Sequence, residues 1–383
     1  MPVPADGRRR TIGMSTPLAI AVFLLGSAVS LGTSWLLVSR IERIGARLSA
    51  SEAMLGLIAA LAANTPEISS AFSALAHHQQ AIGAGVVIGS NVFNLAALLG
   101  LGAVVAGRIA LHRRVVLLAG GVAVWVAAVC LLTVVGAVPA VAGLLLVLAV
   151  LVPYVVLAAL EGPRVRNHGL AMKVRRWLRI AIYEEELELS TAIHPRRGHV
   201  ADAVVAVVAL GVVITASVAM ERSASTLGAR WGVSDIIVGG VVLAAVTSLP
   251  NAVAAIYLAR RGRGAAMLST ALNSNALNVA VGFLLPAAVL GIGRISGHVV
   301  LVSAWYVGLT LVALAFAYVD TGLRRDAGYV ILVSYLAFFG VLVATSRSLS
   351  NAAVLLVPPI VIASTVCVLL LRPSRNPGKD RRP

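Results

Sequence analysis

The sequence predicts an all-α polytopic membrane protein assembled from two inverted repeats, and three observations carry that expectation. Of 383 residues, 59% are hydrophobic and 12% charged, and the mean hydropathy of +0.95 is far above that of a chain with a water-facing surface. Apolar runs of about 20 residues recur, the length a helix rising 1.5 Å per residue needs to cross a hydrocarbon layer of roughly 30 Å. The chain also matches itself when slid along by 184 residues.

Taken in order, the apolar runs place helices at about 17–38, 53–76, 82–106, 115–135, 138–160, 201–220, 235–259, 265–290, 298–319, 328–346 and 352–371, eleven in all. Pro153, Pro286 and the Pro358–Pro359 pair fall inside runs, which marks them as kinks or breaks rather than span ends. Lys and Arg then set the orientation, because short basic loops stay cytoplasmic. The loops after the odd-numbered runs, with segment 161–200 and the C-terminal tail, hold 24 of the 31 Lys and Arg. The opposite side has Arg222, Arg230, Arg294 and Arg347, besides the N-terminal Arg8, Arg9 and Arg10. The expectation is a multi-pass protein of the cell membrane with the N-terminus outside and the C-terminus cytoplasmic. Arg8 to Arg10 run against the rule, and a start at Met14 would remove them.

Segment 161–200 is the one sizeable polar stretch. Its basic run followed by YEEELELS predicts an amphipathic helix on the cytoplasmic leaflet, basic part toward anionic lipid and acids solvated. A regulatory Ca²⁺ site there is not expected, since the spacing of an Asp-rich calcium loop is missing. The net charge of +16 would suggest nucleic acid on a soluble domain, but here the basic residues are scattered among loops. The lipid bilayer and inorganic cations are therefore the expected partners, with no nucleic acid. Cys130 and Cys367 each sit within an apolar run and read as small buried hydrophobes. His77 and His78, in a short outer loop, read as solvated. No nucleophile–base set, phosphate loop or zinc spacing occurs, so neither enzymatic activity nor a resident cofactor is predicted.

The shift of 184 lays Pro66 on Pro250, Asn91 on Asn275, Asn94 on Asn278, Gly56 on Gly240 and Gly107 on Gly291. "NTPE" meets "SLPN", and "GSNVFN" meets "NSNALN". Five runs separate the two units, so they enter the membrane from opposite faces, the architecture of many secondary transporters with a site near the bilayer midplane. A proline inside a span frees the carbonyl one turn earlier, here near Ala62 and Val246. Such a break is tolerated where it is buried in protein or lines a polar cavity. Freed carbonyls, hydroxyls and amide oxygens are hard neutral ligands for Na⁺ or Ca²⁺. Glu67 supplies the charge: a lone ionised carboxylate at midplane costs on the order of 3 kcal/mol, so it needs a cation, a proton or a partner. Runs 2, 3, 7 and 8 contain no Lys or Arg to pair with it.

These residues resemble the two alpha-repeats of the sodium/calcium exchanger family, within the calcium/cation antiporter superfamily: a Thr-Ser-x-Pro-Glu turn followed by a Gly-Ser-Asn-x-x-Asn helix. The resemblance is specific for residues 51–107 and 235–291 and covers the rest in topology only. It implies two inverted five-helix repeats, with one extra C-terminal helix here: an N-terminal repeat 1–160, a cytoplasmic loop 161–200, a C-terminal repeat 201–346, and an appended helix and basic tail 347–383. It implies cation ligation by Glu67 and Asn91 in the first repeat and by Thr247 and Ser248 in the second. The departures define the remaining candidates. The family's first Thr-Ser pair reads Ala63-Asn64, its second glutamate is Asn251, and Asn275 stands where many exchangers have an acid. One carboxylate remains, which suits one monovalent ion or one proton, with Ca²⁺ needing compensation from neutral oxygens. The expected activity is secondary antiport of Na⁺ or H⁺ against a cation by alternating access. Two rivals are a non-transporting scaffold or cation sensor that retains the fold, favoured by the lost carboxylates, and a channel, which midplane broken helices disfavour.

Overall fold

The computed structural model describes residues 14–47, 58, 60–159, 198–262, 264–293 and 295–346. The eleventh predicted helix, most of segment 161–200 and Arg8 to Arg10 lie outside them.

Apolar runs became helices because, in lipid, a backbone must satisfy its own hydrogen bonds. The long elements are α1 (Thr16–Arg47), α2 (Thr65–Ala76), α3 (Gln80–Ala106), α4 (Arg113–Val134), α5 (Ala140–Ala159), α6 (Val200–Trp231), α7 (Asp235–Thr247) and α8 (Leu249–Arg260). They are followed by α9 (Gly264–Leu277, continuing through Asn278–Leu284 and Leu285–Leu290), α10 (Gly297–Val319) and α11 (Arg325–Thr345). Among the described residues, seven helices are long and apolar enough to cross a membrane, or eight if the bent α7–α8 pair is one span.

One expectation needs correction. The sixth run is expected to end at residue 220, before Glu221 and Arg222, yet α6 continues to Trp231. Glutamate and arginine are good helix formers, and Ser73 on α2 donates a hydrogen bond to the Glu221 carboxylate within the bundle. Pro153 lies inside a helix that runs without interruption from Ala140 to Ala159, so it does not end a span.

Contacts between loops show which helix ends share a side. Two short strands, β1 (Arg108–Ala110) and β2 (Gly322–Arg324), pair antiparallel with Arg108 opposite Arg324. The start of α9 joins them, with Gly264 against the backbone of Ala110. Three loops predicted to share one face are thus neighbours.

The core centres on α3, α4, α9 and α10, and α3 is the most enclosed span, with 94% of its apolar window buried. α1 and α6 lie together at its edge and are only 22% and 33% buried over the same kind of window. They are tied by Ser30 Oγ to Ser217 Oγ at 2.7 Å in the middle, by Arg40 Nη1 to Asp202 Oδ1 at 2.7 Å at one end and by Arg230 Nη1 to Thr16 Oγ1 at 2.9 Å at the other. Between α3 and α7, glycines let two backbones touch. A Cβ on Gly89 would lie 2.3 Å from the Gly240 carbonyl oxygen, and one on Gly239 would lie 2.4 Å from the Ile82 carbonyl oxygen.

Candidate functional site

The helix interruptions that the prolines predict occur at matching places. Residues 60–63 are helical, Asn64 forms a turn, and α2 begins at Thr65 with Pro66 in its first turn. In the second half α7 ends at Thr247, Ser248 is the turn residue, and α8 begins at Leu249 with Pro250 in its first turn; the two pieces are bent by 47°. Asn64 and Ser248 are themselves 184 positions apart. Beyond each break comes a helix that passes into a π-helical stretch, Leu95–Leu101 in α3 and Asn278–Leu284 in α9. Gly107 and Gly291, also 184 apart, both take positive φ, 77° and 80°, at the ends of these helices. Proline explains the breaks, since its missing N–H leaves the carbonyl four residues back without a helical donor. The Ala62 carbonyl freed by Pro66 receives instead a long 3.5 Å bond from Ser34 Oγ of α1.

Between the two breaks lies a buried polar cluster. Glu67 is fully buried, and its Oε1 accepts from Ser248 Oγ at 3.0 Å, across the two halves. Its Oε2 has no hydrogen-bond partner. Asn64 Oδ1 accepts from Ser274 Oγ at 2.7 Å and from Asn251 Nδ2 at 3.2 Å, while Asn64 Nδ2 donates to the Ser274 carbonyl at 3.0 Å. Asn251, which stands where the family pattern has a second acid, thus spends its amide on its opposite number's turn.

Deeper in, the asparagines of α3 and α9 bond reciprocally. Asn91 Nδ2 donates to the Asn275 carbonyl and Asn275 Nδ2 to the Asn91 carbonyl, both at 3.1 Å. Asn94 Nδ2 donates to Asn275 Oδ1 at 3.0 Å, and Asn278 Nδ2 to Asn91 Oδ1 at 3.1 Å. Each bond has a counterpart displaced by 184 in both partners. The leftover groups match too: the Oδ1 atoms of Asn94 and Asn278 are buried without a donor. Buried acceptors are seldom left this way. With Glu67 Oε2, three such oxygens lie in the cluster.

Of the seven residues singled out from sequence, Glu67, Asn64, Ser248 and Asn251 are brought together around the breaks, and Asn91 and Asn275 form the paired layer beside them. Thr247 is buried but bonds within its own helix, donating from Oγ1 to the Leu243 carbonyl at 2.9 Å. Sequence reasoning missed Ser274, which joins the two layers by also meeting Asn94 Nδ2 and Asn251 Nδ2 at 3.4 Å. Its signal was present, since Ser274 is the middle residue of "NSN" and lies opposite Ser90 of "GSN". Asn94 and Asn278 were matched in the repeat but not counted as site residues. Among the described residues, no three His, Cys, Asp or Glu side chains gather to form a metal-binding group.

A helical membrane bundle with two proline-broken helices apposed around one buried acid defines a transporter-type fold. The family model for sodium/calcium exchanger protein matches residues 18–160 and 202–346, and the chain belongs to that family. Its fold is similar to that of the H⁺/Ca²⁺ exchanger CAX, with a TM-score of 0.63 and 14% identity over 92% of this chain and 91% of that one. It is similar also to the sodium-calcium exchanger NCX_Mj soaked with Na⁺ and Sr²⁺, with a TM-score of 0.55 and 19% identity over 85% and 99%. In sequence, 84 residues are 33% identical to CaxA of Alkalimonas amylolytica, a candidate antiporter; the match spans 22% of this chain and 26% of that relative.

Proposed function

We propose that the protein is a secondary active cation antiporter in which Na⁺ or H⁺ is exchanged at Glu67 against another cation by alternating access. The observation that carries this reading is Glu67 itself: a fully buried carboxylate with one hydroxyl donor and one oxygen left over. A carboxylate in that setting needs a positive charge beside it. Neutral oxygens of Ser248, Asn64 and Asn251 supply the rest of a hard ligand set for such an ion. A dehydrated divalent ion facing one carboxylate would keep a net positive charge in low dielectric, which favours the monovalent ion or the proton. The pairing of Asn64, Ser248 and the asparagine layers at a constant offset supports two inverted repeats of five helices, 1–160 and 201–346, with the site between them.

One observation favours the rival reading, a cation-sensing or scaffolding relative without transport. Asn251 and Asn64 donate to protein oxygens inside the cluster, so the position of the family's second acid is occupied by an internal hydrogen bond. Purified protein in proteoliposomes separates the two. Antiport predicts Na⁺ or pH-gradient-driven counterflow and a cation-dependent rise in thermal stability, with Glu67→Gln lowering flux by about 100-fold or more. A sensor keeps the thermal response without flux. Radiolabelled Ca²⁺ uptake that runs at full rate in wild type and stops in Glu67→Gln would refute the monovalent preference.

A further inference from the structure

A second buried carboxylate lies along α2 from Glu67, and the antiport reading above does not use it. Glu221 is 1% exposed and lies on α6, the helix that packs against α1 and α2. Ser73 Oγ donates to its Oε2 at 2.9 Å. The ion pairs among the described residues fall on Asp202 and Asp326, not on Glu221.

The charged and titratable groups around it are few. Arg222, next on α6, turns its guanidinium to His77 Nε2 at 3.1 Å, and His77 Nδ1 lies 2.6 Å from the Ser73 carbonyl. In this geometry His77 Nδ1 faces a carbonyl acceptor and Nε2 faces a guanidinium donor. α1 carries no titratable side chain from Thr16 to Val38. Asp235 opens α7 beside the last turn of α6, where Gly228 meets Val238, about two turns beyond Glu221.

Between the two carboxylates the α2–α6 contact is lined with hydroxyls rather than with Leu or Val. Ser69, Ser70 and Ser73 on α2 and Ser217 on α6 are all buried. Ser70 Oγ donates to the Ser217 carbonyl at 3.3 Å, and Ser217 Oγ is 2.7 Å from Ser30 Oγ. Six residues of α2 separate Glu67 from Ser73, an axial rise of about 9 Å. No single ion can touch both acids at that spacing, so Glu221 is not the missing second ligand of a divalent site. Arg222 stands at the His77 end of the seam, bonded to His77 Nε2 at 3.1 Å.

We propose that Glu221 is a second proton-holding carboxylate, which passes protons between the His77–Arg222 surface and Glu67 along the serine seam of α2 and α6. It rests on the Glu67 reading only for the proton's destination. One carboxyl gives up its proton, each hydroxyl between the acids releases one proton as it accepts another, and the second carboxylate takes up the last, so the hydroxyls end as they began. The test uses the full-length protein, with infrared difference spectra of the protonated carboxyl stretch over a pH titration, alongside proton-driven flux into vesicles loaded with a pH dye. Expected is a titrating carboxyl band that survives Glu67→Gln, disappears in Glu221→Gln and moves in frequency in Ser73→Ala, which removes its hydroxyl donor. Glu221→Gln, a near-isosteric change, should slow proton-driven flux at least about tenfold, while the cation-dependent thermal shift persists. A wild-type spectrum in Glu221→Gln, or flux within about twofold of wild type, overturns the proposal. A Glu67→Gln protein with unaltered flux overturns the Glu67 reading and Glu67 as the end of this path, while a persisting Glu221 band retains Glu221 as the proton-holding group.

Discussion

The break at Asn64 and the break at Ser248 are built alike and charged differently. Both place a proline in the first turn after a one-residue interruption, and both face a helix bearing two asparagines one turn apart. The position one residue after the proline is Glu67 in the first half and Asn251 in the second. Glu67 keeps a free oxygen, whereas Asn251 donates its amide to Asn64 and Ser274. Backbone shape and charge are therefore separable: both halves have a broken helix and face an asparagine layer, while the acid stands on one side only.

The comparison can be broken most severely at Gly89. Its counterpart in the second half is Asn273, which is partly buried and bonds Ser269 Oγ at 3.0 Å. Gly89→Ala should cost about 3 kcal/mol or more, because the new Cβ would run into the Gly240 backbone. Asn273→Ala should change stability by about 0.5 kcal/mol or less. Thermal melting of the two purified variants checks this, and similar losses would show that the halves pack alike at these positions.

The asparagine layer should respond evenly. Asn94→Ala and Asn278→Ala each remove one of a matched pair of bonds, Asn94 losing a long 3.4 Å contact to Ser274 besides, and should each lower stability by about 1 to 2 kcal/mol. Unequal losses would break the symmetry. Next in size is Asn251→Glu, which puts back the second acid. Two carboxylates can balance a divalent ion, so the midpoint of Ca²⁺-dependent thermal stabilisation should fall about tenfold, or about 1.4 kcal/mol. No change in Ca²⁺ response would mean that the two turns do not share one ion. Ser248→Ala should have the smallest effect, weakening cation affinity a few-fold through loss of one hydroxyl at Glu67; isothermal titration against Na⁺ at fixed pH measures it.

Much of this was legible beforehand because lipid restricts what a backbone can do. Runs of apolar residues specify helices, a proline within one specifies a break, and a carboxylate in such a run specifies a partner. Pro66, Glu67 and the paired asparagines could accordingly be picked out by eye. Glu221 could not. It sits at the end of a long apolar run beside Arg222, and local sequence reads that pair as the edge of a span. Its hydrogen-bond donor, Ser73, is 148 residues away in the chain, and the helix that carries it runs on to Trp231. Ser274 was hidden for a similar reason, since a serine between two asparagines has no hydropathy signature and gains its role from three side chains on other helices or turns, Asn64, Asn94 and Asn251.

By itself, then, the amino-acid order determined that the chain crosses a membrane as helices, that two stretches of it match at a shift of 184 residues, and that one acid sits beside a helix-breaking proline in the first of them. Those are consequences of composition and spacing, which act locally. Tertiary structure alone decided which amide faces which: that Asn251 bonds Asn64, that Asn91 and Asn275 satisfy each other, and that Glu67 is left with one oxygen over. Hydrogen bonds depend on separations of about 3 Å between groups nearly two hundred residues apart, and only the packed bundle sets those distances.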